Sequence, residues 1–90
     1  GYVGMLFRFA GDSQGGFWMK GTPMPLSIAF FAADGSFVSA TDMDPCIGLG
    51  DSCAVYSAAA AYRYALEVPQ GRLASLGIGP GSRLAVGGAC

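Results

Sequence analysis

Histidine and asparagine are absent from these 90 residues, and tryptophan, lysine and glutamate occur once each. Without histidine the commonest general base is missing, along with Ser-His-Asp and Cys-His catalysis and His-ligated zinc. Without asparagine there is no N-glycosylation acceptor. Charge is also scarce, at 12% of residues with a formal net charge of −1. The four arginines and single lysine are scattered, so no basic stripe forms and nucleic acid is not an expected partner. No apolar run approaches the ~18 residues of a membrane span, so the chain is not expected to span a membrane. The longest run, Leu26 to Ala33, is already interrupted by Ser27. No amino-terminal signal segment is visible either. What remains is an apolar fraction of 52% and a mean hydropathy of +0.45, enough for one modest core in a single domain over residues 1–90.

The pattern is mostly β. Met5 to Phe9 reads as a strand of bulky residues, Gly11 to Gly16 as a polar loop, and Phe17 to Lys20 as a second strand stopped by Pro23 and Pro25. Leu26 to Ala33 and Ser36 to Asp42 flank Asp34-Gly35, the favoured pair for a two-residue type I′ hairpin. That turn pairs Ala33 with Ser36, Phe31 with Val38 and Ser27 with Asp42. Leu26, Ile28 and Phe30 then share one face and Ser27, Ala29 and Phe31 the other, both mostly apolar, as in a strand packed on two sides. Met43 to Tyr56 is an irregular loop, and Tyr62 to Val68 alternates as a further strand. Leu73 to Leu76 is one helical turn with Gly77 as its C′ residue, and Arg83 to Val86 is a last strand. The expected fold is a small antiparallel β-sandwich or barrel with one short helical turn.

Cys46 and Cys53 bracket a short Gly-containing loop suited to a disulfide, an arrangement of oxidising compartments. A redox or metal role is the alternative, although two thiols without histidine make a poor metal set. Cys90 has no remaining intrachain partner. Trp18 and Lys20, two apart on a strand, project to one side. They suit a sugar-stacking or anion-contacting platform, or equally a sheet rim whose lysine keeps its head in water. Asp42, Asp44 and Asp51 surround the cysteine loop as solvated carboxylates, with a hard-cation site as the competing reading. Asp42 faces Ser27 in the hairpin register, which favours a hydrogen bond. Met5, Met19, Met24 and Met43 are read as core filler, against a soft copper site. Glu67 lies mid-strand among apolar neighbours. Burial would raise its pKa and make it a general-acid candidate, whereas an ion pair with Arg63 or Arg8 is the simpler expectation.

Several of these segments together resemble domain-of-unknown-function family 192. They are Gly4-Met5-Leu6-Phe7, Phe17-Trp18-Met19-Lys20, Pro25 to Phe30, Asp34-Gly35, Met43-Asp44-Pro45-Cys46, Cys53, Tyr56-Ser57, Tyr64 to Val68, Gly71, Gly77-Ile78 and Gly81. The resemblance implies a mainly antiparallel β domain on secreted or envelope-anchored proteins and no established activity. Three departures accompany it. The family's further first strand, with an Arg-Gly-Leu-Met type motif, is absent before Gly1, as expected of a trimmed domain or a processed product. Gly21 stands where relatives commonly carry Asn, and Ser27 where they carry Asp.

The leading expectation is a non-enzymatic extracytoplasmic accessory domain, secreted or in the cell envelope. It would bind a small molecule or glycan in a groove near Trp18, with Trp18, Lys20, Asp42, Tyr56 and Glu67 as contacts and neither cofactor nor metal. One alternative is a hydrolase of cell-envelope polymer using Glu67 with Asp42 or Asp44, a chemistry that needs two carboxylates at a fixed separation. The other is a structural module whose exposed apolar surface forms a homo-oligomer interface.

Overall fold

The computed structural model describes residues 4–48 and 52–85. Its elements are β1 (Met5–Ser13), β2 (Phe17–Trp18), β3 (Leu26–Phe31), β4 (Phe37–Met43), β5 (Val55–Tyr56), β6 (Tyr62–Pro69) and α1 (Arg72–Ser75). Strands β1, β6, β3 and β4 form, in that order, one antiparallel sheet, and β2 pairs with β5 as a separate two-stranded ribbon. The fold is thus mainly β and antiparallel, as the sequence pattern predicts. No helix of the described residues is long and apolar enough to cross a membrane.

The β3–β4 hairpin keeps the expected register from Leu26 opposite Met43 to Phe30 opposite Ser39, including Ser27 opposite Asp42. It then shifts, and Phe31 pairs with Phe37 instead of Val38. The Ala32 N–H donates to the Ser36 carbonyl (2.8 Å) and the Gly35 N–H to the Ala32 carbonyl (2.9 Å), so the loop holds three residues, not two. A type I′ turn needs positive φ at both central positions, whereas here Gly35 has φ 89° and no non-glycine among the described residues is positive. Asp34 stays right-handed because its Oδ1 accepts from the Ser36 hydroxyl (2.6 Å) and the Ser36 N–H (2.9 Å). Those two bonds, the hydroxyl first, hold the Asp34 carboxyl below its ordinary range.

Both faces of β3 are covered, as its two apolar faces require. On one side Ile28 and Phe30 join Met19, Met43, Tyr62 and Ala65 in the core. The β2–β5 ribbon lies over this side and inserts Phe17, whose ring meets Phe7 at 5.4 Å and Phe30 at 5.9 Å. Tyr62 packs at a tilt against Phe30, with ring centroids 4.6 Å apart, and satisfies its hydroxyl by donating to the Gly15 carbonyl (2.6 Å). On the other side Ser27, Ala29, Phe31 and Val68 are buried beneath α1 and the segment after it. Helix α1 ends as expected. The Ile78 N–H donates to the Leu73 carbonyl (2.9 Å) and the Gly77 N–H to that of Ala74 (3.0 Å), with Gly77 at φ 75°.

Several element boundaries differ from the sequence reading, and β5 (Val55–Tyr56) lies within the segment expected to be irregular loop. Strand β1 runs through Gly11 and Asp12 to Ser13 with a register irregularity after Arg8, and Arg63 of β6 ties the extension down through Asp12 (Nε–Oδ1 3.1 Å). Strand β2 stops at Trp18, because Met19 turns into the core and Lys20 pairs with Cys46 as an isolated bridge. In place of a strand from Arg83, Arg83 forms a single bridge with Ser36, and Val86 lies outside the described residues.

Candidate functional site

Adjacent rows of the main sheet carry Asp42 and Glu67. Asp42 is opposite Ser27, and Glu67 is opposite Ile28, the next residue of β3. Successive side chains on a strand point to opposite faces, so the two carboxyls leave the sheet on opposite sides. A shared two-carboxylate mechanism for Glu67 and Asp42 is therefore overturned. Asp44 does not line the groove that holds Glu67 either, and its N–H donates to the Tyr56 hydroxyl (3.2 Å).

Asp42 is a held carboxylate. The fully buried Ser27 donates its hydroxyl to Asp42 Oδ1 (2.6 Å) and accepts from the Gly71 N–H (3.1 Å), so one oxygen joins β3, β4 and the entry to α1. Ala40, Leu73, Ala74, Ile78 and Pro80 surround this pair in a shallow, open groove of about 460 Å³.

Glu67 is the opposite case. It shares a groove of about 480 Å³ with Met5, Gly21, Thr22, Met24, Leu26 and Val68, none of which is charged. Among the described residues it has neither a hydrogen bond nor an ion pair. The expected arginine partners are elsewhere: Arg63 binds Asp12, and Arg8, opposite Tyr64, points to the other side of the sheet from Met5 and Glu67. Desolvation pushes the Glu67 carboxyl above its ordinary range. Two features make the groove walls firm. A Cβ on Gly4 would collide with the Glu67 carbonyl, so β1 and β6 approach as closely as backbone allows. Gly21 donates to the Cys46 carbonyl (2.8 Å), and the Cys46 N–H donates to the Thr22 carbonyl (3.0 Å). Cys46 is in turn joined to Cys53 by the expected disulfide, with Cα atoms 6.0 Å apart.

Trp18 and Lys20 do share a side, with the ammonium 5.2 Å from the indole centroid. Trp18 is 45% exposed beside its partner Val55 on the outer side of the ribbon, whereas Phe17 and Tyr56 face the core. The chain's own cation thus engages the ring that a sugar would stack on. Neither groove is lined by Trp18, Lys20 or Tyr56. The five candidate contacts accordingly fall into three places: Trp18 and Lys20 outside the ribbon, Asp42 under α1, and Glu67 in the groove at the end of the core, with Tyr56 packed between layers.

The methionines divide similarly. Met19 and Met43 are core residues, and Met5 and Met24 are half exposed on the Glu67 groove. Asp51 and Cys90 lie outside the described residues. Among the described residues no three His, Cys, Asp or Glu side chains are grouped as a metal site would need.

The profile of DUF192, described as an uncharacterised ACR family, matches residues 2–86. The chain belongs to the DUF192 family. Among solved structures, a Sinorhizobium meliloti protein described as a candidate transcription regulator superposes with a TM-score of 0.75 at 33% identity. The match covers 89% of this chain and 59% of that one, so this DUF192 domain spans about three-fifths of its neighbour's length. No curated protein matches significantly.

In this DUF192 domain, sequence reasoning singled out Glu67 but missed the residues around it. Met5 and Glu67 are directly paired across β1 and β6, a contact between opposite ends of the chain that no local pattern reveals. The available signal lay in Pro23 and Pro25. They keep the segment before β3 out of the ladder and leave it draped across the groove mouth.

Proposed function

We propose that this DUF192 domain is a non-enzymatic, extracytoplasmic accessory module that binds a small molecule in the Glu67 groove. The observation that carries the reading is a partly desolvated carboxyl without a partner among the described residues, facing an uncharged groove of ligand size. A lone ionisable group held this way costs stability at neutral pH, and a bound ligand offsets that cost. The disulfide supports an oxidising compartment, hence a secreted or envelope setting. The engaged Trp18 ring moves the expected ligand away from a glycan on the ribbon and toward the groove that starts at Gly21. The regulator description of the structural neighbour is compatible with ligand sensing. A net charge of −1 gives this domain little means of holding a phosphate backbone itself.

Native mass spectrometry of unreduced, gently purified protein tests the reading. A co-purifying small molecule should persist in Trp18→Ala and be lost in Glu67→Gln. A ligand that ignores Glu67→Gln and disappears with Trp18→Ala would return the site to the ribbon.

A further inference from the structure

Resting on the Glu67 groove as the binding site, we infer that its ligand class is an aliphatic ammonium: a positively charged amine carried on an apolar chain. The groove offers one point of charge and a hydrocarbon lining. Glu67 supplies the only ionisable side chain among the lining residues. Met5, directly opposite Glu67 on the neighbouring strand, places its side chain about 5 Å away at Cβ on the same side of the sheet. Met24, Leu26 and Pro69 continue that lining, and the thioethers add soft, adaptable contact surface.

An ammonium satisfies what the chain leaves open. It donates to the carboxylate, restores the solvation lost on burial, and leaves its alkyl tail on apolar surface. A carboxylate ligand would meet like charge at a partly desolvated carboxyl, and an alcohol would leave the Glu67 charge uncompensated. A hard divalent cation demands six or more oxygens, which these lining side chains do not provide. The groove is also prepared beforehand, by the close β1–β6 approach at Gly4 and by the disulfide-anchored Cys46 clamp on Gly21 and Thr22, so little ordering is required on binding.

Among the described residues no other charged side chain lines the groove beside Glu67. On β1 its neighbour is Met5 and on β3 it is Ile28. Along β6, Arg63 is held by Asp12, and on the covering segment the Lys20 ammonium lies over Trp18. Protons and the ammonium therefore compete for one carboxylate.

Calorimetric titration of the unreduced chain with hexylamine, hexanol and hexanoate distinguishes the outcomes. Near neutral pH hexylamine should bind about tenfold more tightly than hexanol, the equivalent of ~1.4 kcal/mol. Glu67→Gln should erase that preference while hexanol binding persists, and Asp42→Asn should leave it intact. Wild-type affinity for the amine should fall as pH is lowered through the Glu67 titration. Equal binding of amine and alcohol would overturn the ammonium assignment and leave the groove as a small-molecule site. Failure of all three probes to bind would overturn both readings. An amine preference that survives Glu67→Gln would assign the cation to another carboxylate and overturn the inference.

Discussion

Asp42 and Glu67 occupy consecutive rows of one sheet and have opposite fates. Asp42 opens toward α1, where a fully buried serine hydroxyl donates to it and links it to the Gly71 backbone. Glu67 opens toward the core side among thioethers and aliphatic groups, and no donor among the described residues meets it. A one-residue step along β3 makes this difference, because it exchanges one face for the other. The pair teaches that a carboxyl's role here follows from its face of the sheet, more than from its place in the sequence. The partnered carboxyl on one face ties elements together, and the one on the other has no partner among the described residues and is the proposed ligand contact.

The largest expected effect comes from removing the core on the Glu67 side. Phe30→Ala should destabilise the domain by about 3–5 kcal/mol in urea unfolding, since its buried ring contacts Tyr62 and Phe17. A loss below about 1 kcal/mol would mean that the ribbon packs loosely and that the two faces differ less than described. Next is Ser27→Ala, which strips Asp42 of its donor and the Gly71 N–H of its acceptor. A loss of about 1–3 kcal/mol is expected, and an unchanged unfolding midpoint would show that water replaces the serine without cost.

The smallest effect has the opposite sign. The folded state holds the Glu67 proton to higher pH than the unfolded chain, whose carboxyl titrates near 4.5. The folded state thus binds more protons across that window, and stability is lost as pH rises through it. Glu67→Gln should raise the thermal midpoint at about pH 7.5, and the gain should vanish below about pH 4, where Glu67 is protonated in both states. A midpoint lowered at neutral pH would reveal a favourable partner for Glu67 and erase its contrast with Asp42.

Strict alternation fails in β6, where Tyr62 and Ala65 join the same core, but the hairpin, the C′ glycine of α1, the Cys46–Cys53 disulfide and the Ser27–Asp42 pairing were all legible in the sequence. Each rests on short-range geometry: a turn that sets register, a two-residue period, or a loop short enough to close. The three-residue turn escaped because Asp34 bonds Ser36 with its own side chain and needs no left-handed φ. The supposed loop at Gly11 to Gly16 was half strand because Arg63, distant in sequence, secures Asp12.

Apart from β5, which falls in a segment expected to be loop, and the expected strand at Arg83, the sequence by itself determined where the strands lie, the two faces of β3, the poverty of catalytic groups and the disulfide. These are consequences of local period and composition. Tertiary structure alone decided the strand order β1-β6-β3-β4, and with it that Glu67 lies beside Met5, away from Asp42 and Trp18. Pairing between distant strands depends on how two apolar faces are buried together, and no window of sequence contains that information.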